Sequence, residues 1–452
     1  MDAVAHTNGA DEAQYPGLRG AWWLLILLFL SANLYSIDKA IVGVLAEPIR
    51  TTLQISDVQM GLLLGLAYTL LSVLLGLVLG NFTDHHSRRK ILAFSIILWS
   101  LATMAGGLAR GFGSFFVFRA LVGLGEAGLA PTALSVIADI FPPRQRGRAL
   151  SGYFIGATMG TALSSVIPGW IVAADIHWHL PVFGVVEPWR VAFLVCGAIG
   201  PVIGLLFLTT PELPRQGSRW APGQQPPVRE KLAYLYDRKA LLAPLYAGFC
   251  LYYVAFVGIT AWTTVFVMRT YGVTLPEFAA RMGVIAMISG TAGYLLGGVL
   301  ADSAIGRRGG GKLALLATLP VLAMPGTLAV LMPGVTSALI ALAAIAVATP
   351  MVNVAMNATM QEILPNDMRG FSYSLLAVVS ALPAGAGGPL IFALVTEHVL
   401  HDPARMGTSF MIVGLPVLVL SSACFLYARH AYRSQTKAAP TVSSAPTLAA
   451  SR

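Results

Sequence analysis

Three ionisable residues sit in the middle of otherwise apolar stretches: Asp38, Arg119 and Glu126. A charged side chain at membrane depth costs roughly 2.5–3.5 kcal/mol on insertion scales, so it persists where it meets partners or a wet cavity. Arg119 offers a planar fork of donors suited to phosphate or carboxylate. Asp38 and Glu126 can each take up and release a proton. Burial favours the neutral form of a carboxyl and a nearby guanidinium favours the ionised form, so such a pair can be poised for proton coupling. Arg119 and Glu126 are seven residues apart, which puts them on one helix face about 10 Å apart, with Gly123 thinning that face between them. Counted from the outer ends of their spans, Asp38 and Arg119 differ in depth by only about 3 Å, so a salt bridge between them is geometrically open. Glu126 lies deeper, near the midplane. Two readings stand: a permanent buried ion network, or a carboxyl that takes up a proton and releases Arg119 to an anionic substrate. Lys39, about 100° round the helix from Asp38, is expected to pair elsewhere or snorkel.

The elements that must position these residues are membrane helices. Hydrophobic residues make up 56% of 452 and charged residues 11%, with a mean hydropathy of +0.74, a balance foreign to soluble domains. Apolar stretches long enough to cross a bilayer recur near residues 21–46, 58–80, 91–110, 113–138, 148–174, 189–209, 241–268, 279–301, 312–332, 335–361, 370–395 and 407–428. The expected fold is therefore an all-α polytopic membrane protein of twelve transmembrane helices. Of the 29 Lys and Arg residues, 21 fall on the side of the loops that holds both termini and 6 on the other. This bias predicts cytoplasmic termini and a multi-pass protein of the cell inner (plasma) membrane. The net charge of +9 is spread over short clusters between apolar runs, which marks topology and argues against nucleic-acid binding.

The predicted organisation is a cytoplasmic tail over 1–20, a six-helix bundle over 21–209, a Pro- and Arg-rich linker over 210–240, a second bundle over 241–428 and a disordered tail over 429–452. A short amphipathic helix is expected at the end of the linker, Lys231 to Lys239. The halves repeat. Gly80 and Asp84, followed by Arg88 and Arg89, recur after the eighth span as Gly298 and Asp302, followed by Arg307; Asp139, Pro142, Arg146 and Gly147 recur as Glu362, Pro365, Arg369 and Gly370. Six spans repeating with unchanged orientation is the parallel-repeat plan of a two-domain transporter.

The Gly-x-x-x-Asp loop with its basic cluster, present in both halves, resembles the hallmark of the major facilitator superfamily. His85 and Ser87 depart from the usual loop. Four further stretches resemble the spinster-like lipid transporters: Tyr35 to Lys39, Ile55 to Leu63, Gly125 to Pro131, and Trp189-Arg190. Lys39 stands where Arg is more usual. The resemblance implies alternating access, and it implies a conformational latch at Gly80, Asp84, Arg88, Arg89, Asp139 and Arg146, with Asp302 and Arg307 as its counterpart. It also implies an anionic lysophospholipid or sphingosine-phosphate-like substrate, moved with protons by a monomer among membrane lipids. A small organic anion such as a hexuronate is the alternative cargo that the same arginine would serve.

The second half has no charge deep in any predicted span. It offers instead an aromatic run, Phe249, Tyr252, Tyr253, Phe256 and Trp262, and an amide stripe, Asn353, Asn357 and Gln361. Such groups serve helix packing or the apolar wall of a substrate path. The predicted substrate-binding set is thus Arg119, Glu126, Tyr252, Tyr253, Phe256, Trp262, Asn353 and Asn357, with Asp38 and Glu126 carrying protons. Gly152, Gly156, Gly160, Gly293 and Gly297 mark close helix approaches, and Pro383 to Pro389 predicts a weakened eleventh span. No cofactor, metal site or catalytic group is expected. His85-His86 and His177-Trp-His179 have no acidic or cysteine partner at ligand spacing, the three cysteines lie in apolar segments, and no phosphate-cradling Gly-Lys-Ser/Thr loop is present.

Overall fold

A computed structural model describes residues 18–74, 87–181, 184–210, 228–303 and 309–438. Eleven helices within these are long and apolar enough to cross a membrane. The twelfth crossing is the fourth span, which runs in two pieces, Phe112–Glu126 and Leu129–Ile140. Proline causes the break: Pro131 has no N–H to give the carbonyl of Ala127, four residues back. The ladder restarts where Thr132 N donates to Gly128 O. Pro168, Pro201, Pro244 and Pro350 are carried inside helices without interruption, where neighbouring helices satisfy the freed backbone groups.

The halves match contact for contact. The first span (Leu18–Val44) packs on the fifth (Pro143–Ala173), and the third (Arg88–Gly107) on the sixth (Pro188–Leu208). Correspondingly, the seventh (Lys239–Tyr271) packs on the eleventh, and the ninth (Gly311–Thr327) on the twelfth. Local detail repeats as well. Ser56 caps the second span with Gln59 accepting from its backbone N–H at 3.0 Å. At the start of the eighth span (Leu275–Asp302) Glu277 accepts from Thr274 N at 3.2 Å. The two caps are 218 residues apart, the separation of Asp84 and Asp302.

Glycines set the closest helix approaches. A Cβ on Gly156 or Gly160 would run into the backbone carbonyl of Phe29 or Asn33 on the first span, and one on Gly293 would meet Val347 O on the tenth (Val335–Ile363). Gly152 has only the Leu25 side chain nearby. The two halves meet toward the face away from the termini. There Gly43 faces Ala261 O, Gly65 faces the Gly385 and Ala386 carbonyls, and Gly169 faces Ala279. These contacts join the first span to the seventh, the second to the eleventh and the fifth to the eighth. Arg269 crosses the same face to Glu47 and Asp57, and Glu397 accepts from Val58 N at 2.9 Å. That end of the path is closed.

Three details differ from expectation. A two-stranded antiparallel hairpin, Trp178–Leu180 with Gly184–Val186, stands in the loop before the sixth span; Gly184, which opens its second strand, holds a positive φ of 69° that glycine adopts freely. The last helix runs to Ala438, so residues 429–438, expected in a disordered tail, are helical. In the eleventh span, the Pro and Gly stretch forms π-helical turns over Ala381–Gly387 rather than a simple bend, a widening typical of sites where the regular ladder is interrupted. The linker helix is present as Val228–Asp237.

Overpacking a tight backbone contact costs about 1–3 kcal/mol. Gly160→Val should therefore lower the melting temperature of the detergent-purified protein. Gly298→Val, where an added Cβ meets nothing within 4 Å, should leave it unchanged.

Candidate substrate site

Asp38 is fully buried on the first span. The Thr103 hydroxyl and Trp99 indole of the third span lie beside it, yet neither carboxyl oxygen has a hydrogen-bond partner. Arg119 is 3% exposed and reaches the first span, but its Nη1 donates to the backbone carbonyl of Asp38 at 3.3 Å. The side-chain salt bridge open to Asp38 and Arg119 on depth alone is not made. The guanidinium also lies over the Tyr68 ring, 5.4 Å from its centroid, a cation–π contact that partly offsets its burial. Its Nε has no partner.

Glu126 is held from the second span. Tyr68 Oη donates to its Oε2 at 2.7 Å, while Oε1 is buried without a partner. Gly123 makes this possible, since any Cβ there would strike the carbonyl of Tyr68. Gly125 does the same toward Trp99 Cβ, at 2.8 Å. The two glycines pull the second and third spans onto the fourth, and the acid and arginine are enclosed as a result.

Lys39 departs from its expected separate role. It is exposed although mid-span, lies over the Tyr35 ring at 5.7 Å, and is within electrostatic reach of Glu126. Tyr68, Trp99, Thr103 and the Lys39 placement were not readable from spacing: an aromatic or threonine in an apolar span carries no periodic signal, and each matters here only through a partner on another helix.

The second half divides. Two predicted binding residues are corrected to struts. Tyr252 is fully buried with its hydroxyl 2.9 Å from Thr349 Oγ1, and Trp262 is fully buried with Nε1 donating to Pro389 O at 2.9 Å. They fix the seventh span to the tenth and eleventh, because a buried O–H or indole N–H must find an acceptor. Tyr253, Phe256, Asn353 and Asn357 retain exposed area. Tyr253 donates to Asn353 Oδ1 at 2.8 Å and packs on Phe249 at 4.6 Å. The amide nitrogens bond back along their own helix, Asn353 to Thr349 O and Asn357 to Asn353 O, while Asn353 Oδ1 ties the tenth span to the seventh through Tyr253. Among the described residues, every buried charged side chain belongs to the first half.

At the termini face, Arg88 pairs with Asp139 and Arg89 donates to Thr210 O at 2.6 Å. The repeat-related pair is Lys312 with Glu362 at 3.0 Å; Lys312, not predicted for this role, takes the place matching Arg88. Gly80, Asp84 and Arg307 lie outside the described residues, as does the side chain of Arg146; Asp302 is exposed at the end of the eighth span.

Sequence comparison places this geometry in context. Residues 28–389 match the Major Facilitator Superfamily. The chain belongs to that superfamily. Among curated relatives, an MFS-type efflux pump of Mycolicibacterium smegmatis is 25% identical over 96% of this chain and 98% of its own length. A hexuronate transporter of Bacillus subtilis is 26% identical over 62% of this chain and 64% of its own length. Protein spinster of Drosophila melanogaster is 29% identical over 64% of this chain and 47% of its own length. A crystal structure of a bacterial homologue of the human lysosomal transporter Spinster, inward-facing and unoccupied, superposes with a TM-score of 0.73 at 24% identity, covering 93% of this chain and 99% of that one. As a member of that superfamily it is a secondary transporter working by alternating access, not an enzyme.

Removing a hydroxyl that satisfies a buried acceptor costs about 1–3 kcal/mol. Tyr68→Phe should lower thermal stability by that amount, and the loss should shrink when Glu126→Gln is also present, as a double-mutant cycle by thermal unfolding would read.

Proposed function

We propose that the protein moves an anionic amphiphile, a lysophospholipid or sphingosine-phosphate-like lipid, across the inner membrane with both termini in the cytoplasm, and that it does so coupled to protons. One observation carries this reading: a buried guanidinium, Arg119, shares its enclosure with two carboxyls that make no ion pair with it. Buried polar groups without partners demand an explanation, and the three fit one exchange. With Asp38 or Glu126 protonated, the positive charge of Arg119 is uncompensated and attracts an anionic head group. With the carboxyls ionised, their charge competes with that of the substrate and favours release.

The wall opposite suits the tail of such a molecule. Phe249, Tyr253 and Phe256 pack on one another as a partly exposed aromatic surface on the seventh span. Lys39 supplies a second cation near Glu126. In the latch, Arg88–Asp139 and Lys312–Glu362 hold helix ends together on the termini face of each half.

A small organic anion remains the rival cargo, favoured by the likeness to a hexuronate transporter. Arg119 serves either, so the apolar wall decides between them. Proteoliposomes offered lysophospholipids, sphingosine phosphate and sugar acids in parallel under a pH gradient should transport the lipids; flux of the sugar acids alone would sink the lipid reading.

Arg119→Ala should abolish transport while leaving folded protein in the membrane, checked by substrate binding and size-exclusion profile together. Asp38→Asn and Glu126→Gln should flatten the dependence of transport on pH, singly or combined. If the double variant keeps the wild-type pH profile, proton coupling does not run through these two groups.

A further inference from the structure

The ion network that closes the face away from the termini has more partners than a lock needs. Arg269, at the end of the seventh span, holds Asp57 with two parallel contacts of 2.8 Å, Nη1 to Oδ2 and Nη2 to Oδ1, and holds Glu47 at 2.7 Å and 3.0 Å. Asp57 is 3% exposed on its side chain and Arg269 10%. Breaking so enclosed a pair without replacement leaves a bare buried charge, which is strongly unfavourable. A transporter must nevertheless part these halves in every cycle.

Both sides of the contact carry a substitute. Arg269 also donates to Pro403 O of its own half at 3.1 Å. On the opposite side stands Arg50, on the short helix Ala46–Leu53 that follows the first span. Its Nη2 holds Glu47 Oε1 at 2.8 Å. Its Nε makes no hydrogen bond and lies 3.6 Å from Asp57 Oδ1. Arg50, Glu47 and Asp57 are on the same half, so their separations survive when the halves part. Nearby, Glu397 is occupied by Val58 N, and Asp402 pairs with Arg405.

We propose that Arg50 is the alternate partner that takes over Asp57 when Arg269 withdraws, making the closure of this face a reversible exchange of guanidinium partners. Arg269 then sets how firmly the face is shut, and Arg50 sets how readily it opens. Arg50 touches neither the path nor the cargo; it is a positioning residue for the conformational step.

The test uses full-length protein in proteoliposomes. Spin labels at Val185→Cys and Val399→Cys, in a Cys196→Ala, Cys250→Ala, Cys424→Ala background, report the distance across this face. Arg269→Gln should shift the distances toward the long, open population. Arg50→Gln should shift them toward the short one and slow transport by roughly tenfold, the scale of one charge-assisted hydrogen bond. Arg50→Lys should recover most of that rate, and Asp57→Asn added to Arg50→Gln should recover it too, because a neutral amide in place of the carboxylate needs no replacement cation. Unchanged distances and rate in Arg50→Gln would overturn the exchange, and so would equal impairment in Arg50→Lys and Arg50→Gln without recovery on adding Asp57→Asn.

Discussion

Charge held inside a low-dielectric bundle is the constraint on which the rest of this protein depends. Arg119, Asp38 and Glu126 are placed where an unpaired charge is expensive, and the surrounding helices are arranged to keep that cost partly but incompletely met. Tyr68 gives Glu126 one hydrogen bond and Arg119 a ring face; the backbone carbonyl of Asp38 gives Arg119 one acceptor. A fully satisfied network would be stable and inert. In this cluster Asp38 Oδ1 and Oδ2, Arg119 Nε and Glu126 Oε1 are buried without a hydrogen-bond partner, and on the proposed function that unmet valence is what a proton or an anion would answer. Glycine is the means of holding this tension: Gly123 and Gly125 remove the bulk that would keep the second and third spans away from the charges.

Much of this was legible in the chain. Hydropathy alone located the spans, because in a bilayer every backbone polar group must be satisfied within its own helix and a crossing needs a fixed length of apolar residues. The repeat announced two like bundles, and the absence of deep charge from the second half announced a one-sided site. Glycine spacing at Gly156, Gly160 and Gly293 was enough to mark where backbones touch. Each of these signals is local or periodic.

What escaped is relational. Tyr252 and Trp262 belong to the same aromatic run as Tyr253, yet two are fully buried against Thr349 and Pro389 while the third keeps exposed area; composition cannot separate them, since only the azimuth of each residue against its neighbours decides. The Asp38–Arg119 pairing failed for a related reason. Depth along two helices fixes one coordinate, and a salt bridge needs three. The Lys312–Glu362 pair escaped because Lys312 lies in the first turn of the ninth span, while the motif that drew attention lies in the loop before it.

The interruption of the fourth span at Ala127 and Gly128 has a mechanical meaning. A continuous helix is a stiff beam that carries a tilt from one end to the other. Two shorter beams meeting at a joint divide the membrane into an upper lever bearing Arg119 and Glu126 and a lower lever bearing Asp139, whose partner Arg88 begins the next-door helix. Glu126 is the last residue before the joint, so a change in its charge falls where the two segments can reorient against each other.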